Sequence, residues 1–312
     1  MINKIYRSTL VAAFVFVAGV SVNAQTTTEN FGSEANAFSI EFVQIGNPGN
    51  AADMTGYGAV PYTYRVGKYE ISQDVITKAT ASGMANVTAD AWPGSKPAAN
   101  MSWYEAAAFV NWLNTSTGKQ AAYNLTFSES SWSMTLWSSG VAWQAGGENL
   151  YRHKDAFYFL PSENEWYKAA YYNPVGSNYF LYPTASNTAP TSVVGGTDAG
   201  TAVYGIFGLP ANVDSAGGLS PYETMGQGGN VFEWSESAVD GTNDSASEAR
   251  TYRGGEKYDS EFYLRSSVRL NHGPDVEDNV YGFRVASVPE PSSLSLLAIG
   301  LGVVLRRRRR TV

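Results

Sequence analysis

The sequence predicts a single loop-rich domain that mixes short strands and helices, with a segment of different character at each end. Alternating apolar residues indicate a strand over Phe38–Ile45, and two capping-box patterns indicate helices that begin after Ser102 and Ser162. Abundant Gly, Pro, Ser, Thr and Asn over 173–228 predict long loops packed on a core. No break in composition divides the chain, so we expect one domain over 38–287.

The first 24 residues have the pattern of a secretory signal peptide. A basic start at Lys4 and Arg7 precedes an apolar run over 10–20 and the small residues of Val22-Asn23-Ala24. The alternative, a buried core helix, explains neither the cationic start nor the small-residue exit. Residues 25–37 are polar, and we expect them to form a loosely packed leader.

The C-terminal segment, 288–312, runs from Pro289-Glu290-Pro291 through an apolar stretch over 294–305 to a cluster of arginines. As a helix the apolar stretch would span roughly 18 Å, short of the roughly 30 Å of a hydrocarbon core. The arginines indicate its cytoplasmic end. A basic tail for nucleic acid is the alternative interpretation, but it leaves the apolar stretch unexplained.

This order of elements resembles the PEP-CTERM sorting signal of Gram-negative bacteria. The residues that carry the resemblance are Pro289, Glu290, Pro291, Arg306, Arg307, Arg308, Arg309 and Arg310. The resemblance implies export, transient anchoring in the inner membrane through a short transmembrane helix, and processing by an exosortase. It also implies a final location at the cell surface or in the extracellular matrix.

Charge and composition exclude several classes of function. The chain has 21 Lys+Arg and 28 Asp+Glu; the two ends hold seven basic residues and one acidic residue, which leaves 14 and 27 in the mature region, a net charge of about −13. Such an acidic region argues against nucleic acid and anionic membranes as partners. The absence of Cys excludes disulfides, thiolate metal sites and a Cys nucleophile. Two histidines, His153 and His272, exclude a site with three imidazole ligands.

Further elements follow from local patterns. The segment Tyr62–Glu70 predicts a strand, and Ser72 is placed to cap a helix that ends near Ser82. Glu105 and Glu165 complete the two capping boxes, so we expect them to have structural roles. His153 is expected in a polar loop.

Five segments, in order, resemble the formylglycine-generating-enzyme or sulfatase-modifying-factor domain. They are Tyr64–Ser72, Met101–Leu113, Leu160–Trp166, Gly229–Trp234, and Arg253-Gly254-Gly255 followed by Arg265, Arg269 and Gly282–Ala286. The resemblance implies an α+β, C-type-lectin-like fold with little regular secondary structure. It also implies that Trp103, Trp166 and Trp234 anchor the core and that Gly254-Gly255 allows a close backbone approach.

The family's oxidase chemistry depends on ligands that this sequence lacks. Its aerobic enzymes hold copper with two Cys thiolates after the motif that matches Arg253-Gly254-Gly255. Here that stretch offers only the carboxylates of Glu256, Asp259 and Glu261, and hard oxygens do not replace soft thiolates. The related iron-dependent branch uses three His. We therefore assign no catalytic and no cofactor-binding residue.

Calcium is the one cofactor that the resemblance leaves open. The family's site at the turn before its Gly-Asn-x-x-Glu-Trp motif maps onto residue 226 and the backbone carbonyls of Gln227, Gly229 and Val231. Gly226 has no side-chain ligand and calcium takes about six to eight oxygens, so we expect a weakened site. The acidic run over 275–279 is interpreted as a solvated loop.

The leading hypothesis is an exported, non-catalytic module that binds an exopolysaccharide or another glycan, or a surface protein. The alternative is an oxidoreductase of the same family with an altered metal site, and a third class is a self-associating matrix protein. A glycosidase would need a facing pair of carboxylates from Glu163, Glu233 and Glu236, but their positions in helix and fold motifs favour structural roles.

Overall fold

The computed structural model describes residues 25–289. Within that range three α-helices lie among short strands and long loops. The helices are α1 (Gln73–Ala81), α2 (Trp103–Ser116) and α3 (Glu163–Tyr171). The strands are β1 (Thr26–Phe31), β2 (Phe38–Ile45), β3 (Tyr64–Gly67), β4 (Asn124–Ser128), β5 (Ser131–Thr135), β6 (Ala142–Trp143), β7 (Asn149–His153), β8 (Tyr158–Phe159), β9 (Tyr172–Asn173), β10 (Asn178–Tyr179), β11 (Thr191–Ser192), β12 (Thr201–Ala202), β13 (Phe232–Ala238), β14 (Arg250–Arg253), β15 (Leu270–His272), β16 (Tyr281–Gly282) and β17 (Ala286–Ser287).

Two sheets organise these strands. The larger has the order β1-β2-β3-β17-β8, so the first and last strands of the domain lie in one antiparallel sheet. The smaller has the order β15-β14-β13-β16, in which β13 pairs with β14 antiparallel and with β16 parallel. The predicted strand over 38–45 is confirmed as β2, whereas the strand predicted over 62–70 is shorter and forms β3.

The structure corrects the expectation of a loose leader over residues 25–37. Thr26–Phe31 pairs along its whole length with β2 and forms the edge of the larger sheet. Phe31 is buried, stacks on Phe38 at 5.5 Å between ring centroids and packs edge-on against Tyr158 at 5.3 Å. The Arg65 Nη2 atom lies 2.5 Å from Glu29 Oε1, which ties β1 to β3. Backbone pairing and aromatic packing therefore hold this polar segment.

The helix starts agree with the sequence analysis. Ser102 and Ser162 each accept a hydrogen bond from the backbone N–H three residues on, and Glu105 and Glu165 reach back to the backbone N–H of the capping serines. Both capping boxes are therefore formed as predicted. Ser72 caps α1 in the same way, through the N–H of Val75.

The core contains the three tryptophans that the family resemblance placed there. Trp103, Trp166 and Trp234 have no exposed surface. Gly254 has φ +102°, and a Cβ there would lie 3.1 Å from the Gln227 carbonyl oxygen and 3.3 Å from the Trp166 ring. The predicted close backbone approach at Gly254-Gly255 is confirmed, since a Cβ at Gly255 would come within 2.9 Å of Leu264.

Between Asn173 and Gly228 the chain forms long loops with only two-residue strands and one short 3-10 helix, as predicted. His153, expected in a polar loop, instead ends β7 and is nearly buried, with its ring edge-on to Trp137 at 4.8 Å. No helix among residues 25–289 is long and apolar enough to cross a bilayer. The predicted signal peptide and the predicted transmembrane helix over 294–305 lie outside the described residues.

Candidate functional site

The segment where the family's thiolates would lie forms a closed turn. The Glu256 backbone N–H donates to Asp259 Oδ2 at 3.1 Å, and the Tyr258 N–H donates to Glu256 Oε2 at 2.9 Å. Burial raises the pKa of Glu256 to about 7. Both carboxylates therefore stabilise the turn that carries them, and the third, Glu261, begins a short 3-10 helix.

Lys257 belongs to this turn, and its side chain is fully buried. Its ammonium lies 3.1 Å from the centroid of the Tyr258 ring and 4.9 Å from that of Trp92. Cation–π contacts with two rings are a means of holding a buried cation. The segment thus presents oxygen atoms, an ammonium group and aromatic rings, and its sequence contains no sulfur ligand.

Two of the glutamates considered for hydrolysis are held by arginines. Glu163 accepts from Arg253 Nε at 2.7 Å and from Arg269 Nε at 2.8 Å. Glu233 forms a fork with Arg284, with distances of 2.6 Å from Nε and 2.5 Å from Nη2. Both carboxylates are buried. Both groups are therefore buried and already paired, which suits a structural role.

The third glutamate, Glu236, belongs to a buried cluster around Arg152. The Arg152 guanidinium binds Glu236 on one side, at 2.6 Å from Nη2, and Glu165 on the other, at 3.0 Å from the same nitrogen. Burial raises the pKa of Glu236 despite the arginine. Burial opposes ionisation of Glu165 as well, but Arg152 and hydrogen bonds from Ser162 and Tyr62 hold its pKa below the ordinary value. We call Arg152, Glu165 and Glu236 the Arg152 cluster.

A solvent-open cavity of about 140 Å³ lies above the Arg152 cluster. Two half-buried aromatic side chains form its wall: the rings of Tyr62 and Trp143 meet edge to face, with centroids 5.4 Å apart. Gly146 and Gly147 continue the wall with backbone alone. The polar residues of the lining are Glu148, Asn149, Arg152, Ser162, Asn164, Ser237 and Asn243. We call this cavity the Trp143 cleft.

The turn expected to hold calcium lies against a buried carboxylate from another segment. A Cβ built at Gly226 would lie 3.0 Å from Glu70 Oε2, so Glu70 occupies the space that a side chain at 226 would need. The same oxygen accepts from Asn230 Nδ2 at 2.6 Å, while Glu70 Oε1 has no hydrogen-bond partner among residues 25–289. Burial, followed by repulsion from Glu233, raises the pKa of Glu70 well above its ordinary value.

This arrangement fits a cation at the turn better than the sequence suggests. Glu70 provides a carboxyl oxygen that Gly226 lacks, near the stretch that contains Gln227, Gly229 and Val231. Within the described range no group of three or more His, Cys, Asp and Glu side chains is arranged to hold a metal ion. Backbone carbonyls would therefore have to supply most of the ligands.

Sequence reasoning missed Glu70, Arg152 and the Trp143 cleft. Glu70 lies 160 positions from Asn230, and Arg152 lies 84 positions from Glu236, so no local spacing connects either pair. The one available signal was compositional: glutamates and arginines inside aromatic-rich motifs suggest buried ion pairs. The acidic run over 275–279 is a loop with mostly exposed side chains, as interpreted from sequence.

The fold and the site together define an α+β domain with long loops, whose buried glutamates are braced by arginines. A sequence profile for the sulfatase-modifying factor enzyme 1-like domain matches residues 9–288, and the chain belongs to that family. A second profile, for the PEP-CTERM protein-sorting motif, matches residues 287–310. That motif marks exported proteins of Gram-negative bacteria and implies processing by an exosortase. The search of curated proteins found no match.

Solved structures support the same fold. Treponema denticola variable protein 1 superimposes with a TM-score of 0.58 at 19% identity, over 84% of this chain and 99% of that protein. CarF gives 0.56 at 18% identity, over 80% and 99%. PvdO from Pseudomonas aeruginosa gives 0.50 at 15% identity, over 84% and 98%. The fold is therefore C-type-lectin-like and of the sulfatase-modifying-factor type, while such low identities carry no information on function.

Proposed function

We propose that this protein is an exported, non-catalytic module that binds a glycan or a protein at the cell surface or in the extracellular matrix. The observation that carries the proposal is the closed turn over 256–259, where Glu256 and Asp259 bind backbone N–H groups at the position of the family's thiolates. A turn that uses its carboxylates in this way, in a chain without Cys, offers no soft ligand for monovalent copper.

The arginine-bound glutamates support the same proposal. Glu163, Glu233 and Glu236 are each engaged by at least one guanidinium within 2.9 Å. A general acid or a nucleophile must reach the substrate and change its protonation or bonding during the reaction. Carboxylates bound in this way contribute to the rigidity of the scaffold instead.

The test is metal analysis and binding on the mature protein, recovered after export from cells supplied with copper and iron. We expect neither metal in stoichiometric amount, together with binding to the producer's own exopolysaccharide or to a surface protein. One equivalent of copper or iron would overturn the proposal and favour an oxidoreductase with an altered metal site. Self-association without any ligand would favour a structural matrix protein.

We also propose that calcium binds weakly at the turn that contains Gln227, Gly229 and Val231, with Glu70 as the anionic ligand. The support is the unpartnered Oε1 atom of Glu70 and the position of its carboxylate beside Gly226. Two buried carboxylates, Glu70 and Glu233, lie near Arg284, and all the donor positions of that guanidinium bind Glu233 or backbone carbonyls. A bound cation would balance the negative charge of ionised Glu70, to which Arg284 donates no hydrogen bond.

For localisation we propose a two-step route. The signal peptide over 1–24 directs export, and the C-terminal segment over 288–312 anchors the chain transiently in the inner membrane until an exosortase processes it. The sorting motif supports this route. Replacing Arg306 to Arg310 with alanine should leave unprocessed protein in the membrane fraction; normal release of this variant would contradict the proposed anchoring.

A further inference from the structure

The Trp143 cleft has the size and lining of a site for one ring. Its volume of about 140 Å³ is below the range of roughly 300–1,000 Å³ that encloses a drug-sized molecule. Tyr62 and Trp143 are both half-buried, and their rings are nearly perpendicular, with an interplanar angle of 80°. The part of this aromatic pair that remains exposed offers apolar contact to a flat ligand.

Polar groups line the rest of the cleft. Asn164 is exposed, and its Oδ1 atom accepts the Gly58 N–H at 2.9 Å, which fixes the orientation of its amide. The hydroxyls of Ser162 and Ser237 and the amides of Asn149 and Asn243 add further polar lining. An apolar wall facing hydroxyls and amides suits a ligand that has one apolar face and a rim of hydroxyl groups.

The charge around the cleft disfavours anions. The Arg152 cluster below it contains two carboxylates and one guanidinium, whose Nε, Nη1 and Nη2 atoms all bind those carboxylates. Glu148 adds a further exposed carboxylate at the rim. Among the described residues that line the cleft, Arg152 is the one cation, and the two carboxylates that it binds more than offset its charge. The net negative charge therefore repels a carboxylate or sulfate group.

From this geometry we propose that the Trp143 cleft binds a single neutral or amino sugar ring of a glycan, with the ring stacked on Trp143, and that it discriminates against acidic sugars. This inference rests on the proposed binding function and specifies its site and its ligand class. A single shallow site of this size gives weak binding, so repeated units of a polymer would be needed for firm attachment.

The test measures saturation-transfer NMR and affinity on the mature protein with four soluble probes: methyl β-glucoside and the disaccharides of N-acetylglucosamine, glucosamine and galacturonate. The variant is Trp143→Ala. The matched control is Trp132→Ala, because Trp132 is also half-buried, in β5, and does not line the cleft. We expect Trp143→Ala to weaken binding of the neutral or amino probes by about tenfold or more, and the control by less than about twofold.

A second variant tests the inference independently, in case Trp143→Ala does not fold. Glu148→Lys changes an exposed rim residue, and we expect it to raise the affinity for digalacturonate about tenfold with little change for methyl β-glucoside. No such gain, no binding of any neutral or amino probe, or equal losses in the two tryptophan variants would overturn the inference.

The outcomes also separate this inference from the proposed function. Binding of the producer's exopolysaccharide or a surface protein that survives Trp143→Ala would overturn the cleft as the site while the binding function stands. Absence of binding to every probe, to the exopolysaccharide and to surface proteins would overturn both.

Discussion

Arg152 and Glu236 form a two-pronged buried ion pair, in which Nη2 lies 2.6 Å from Oε2 and Nε lies 2.9 Å from Oε1. The guanidinium also packs over the Phe159 ring, with its central carbon 3.7 Å from the centroid. The pair joins β7 to β13, and through Glu165 it also joins both strands to the first turn of α3. These contacts hold in place the two strands and the helix start at the base of the Trp143 cleft.

Replacing Arg152 with Met should destabilise the protein by about 3–5 kcal/mol, because two buried carboxylates would lose the cation that they share. Urea unfolding of the mature protein measures the change. Lys154→Met, at an exposed position two residues on, should change the free energy of unfolding by less than about 0.5 kcal/mol.

A double variant separates the orphaned charge from lost packing. Adding Glu236→Gln to Arg152→Met should recover part of the stability, since one uncompensated carboxylate is removed. If the double variant were less stable than Arg152→Met alone, the hydrogen bonds of Glu236 to Tyr123 and Asn149 would outweigh its charge.

Replacing Phe31 with Ala tests whether β1 is part of the domain. Phe31 is buried against Phe38 and Tyr158, so the substitution should cost about 3–5 kcal/mol in the free energy of unfolding. Thr28→Ala, at an exposed position of the same strand, should cost less than about 1 kcal/mol. Small and equal losses in the free energy of unfolding of Phe31→Ala and Thr28→Ala would mean that residues 25–37 form a loose leader.

Features of the fold that depend on residues close together in the sequence could be predicted, whereas features that depend on distant residues could not. The capping boxes at Ser102 and Ser162 were predictable, because each is complete within four residues. The strand β1 was not, because Thr26–Phe31 is polar, alternates only weakly and is fixed by pairing with β2 and by Arg65. An edge strand needs little apolar surface when the backbone of its neighbour provides the partners.

The candidate site was less predictable than the fold for the same reason. The lining of the Trp143 cleft comes from four stretches, 59–62, 143–152, 162–164 and 237–243, which the chain brings together only through the fold. The absence of the copper ligands was evident from composition, because a chain without Cys cannot place a thiolate anywhere. Only the structure shows that Glu256 and Asp259 bind backbone N–H groups of the turn over 256–259.

Calcium should stabilise the protein through Glu70. Because a ligand that binds only the folded state adds about 2.7 kcal/mol at one hundred times its Kd, excess calcium chloride should raise the Tm of the wild type above its value in chelator. Glu70→Gln should abolish this rise while the protein stays folded, since a neutral amide resembles the protonated acid that burial favours.

The matched control for Glu70 is Glu41→Gln, which changes a partly exposed glutamate that also lines the small cavity beside Glu70. The control should keep the full calcium response. A calcium-dependent rise in Tm that is the same in Glu70→Gln and in the wild type would show that calcium binds elsewhere, and no rise in the wild type would refute the site.

Glu256 should make the protein less stable as the pH rises from about 4.5 to about 7. Burial raises the pKa of this carboxyl from 4.5 to about 7 in the folded state. Between those values the folded protein holds a proton that the unfolded chain has released, so each rise in pH favours unfolding. Glu256→Gln cannot titrate, and it should lack this part of the decline.

The free energies of unfolding of wild type and Glu256→Gln, measured at several pH values from about 4 to about 8, should therefore diverge across that window and run parallel outside it. Glu277→Gln, in an exposed loop, should follow the wild type throughout. A constant difference between wild type and Glu256→Gln at every pH would mean that the buried turn does not hold a titrating carboxyl.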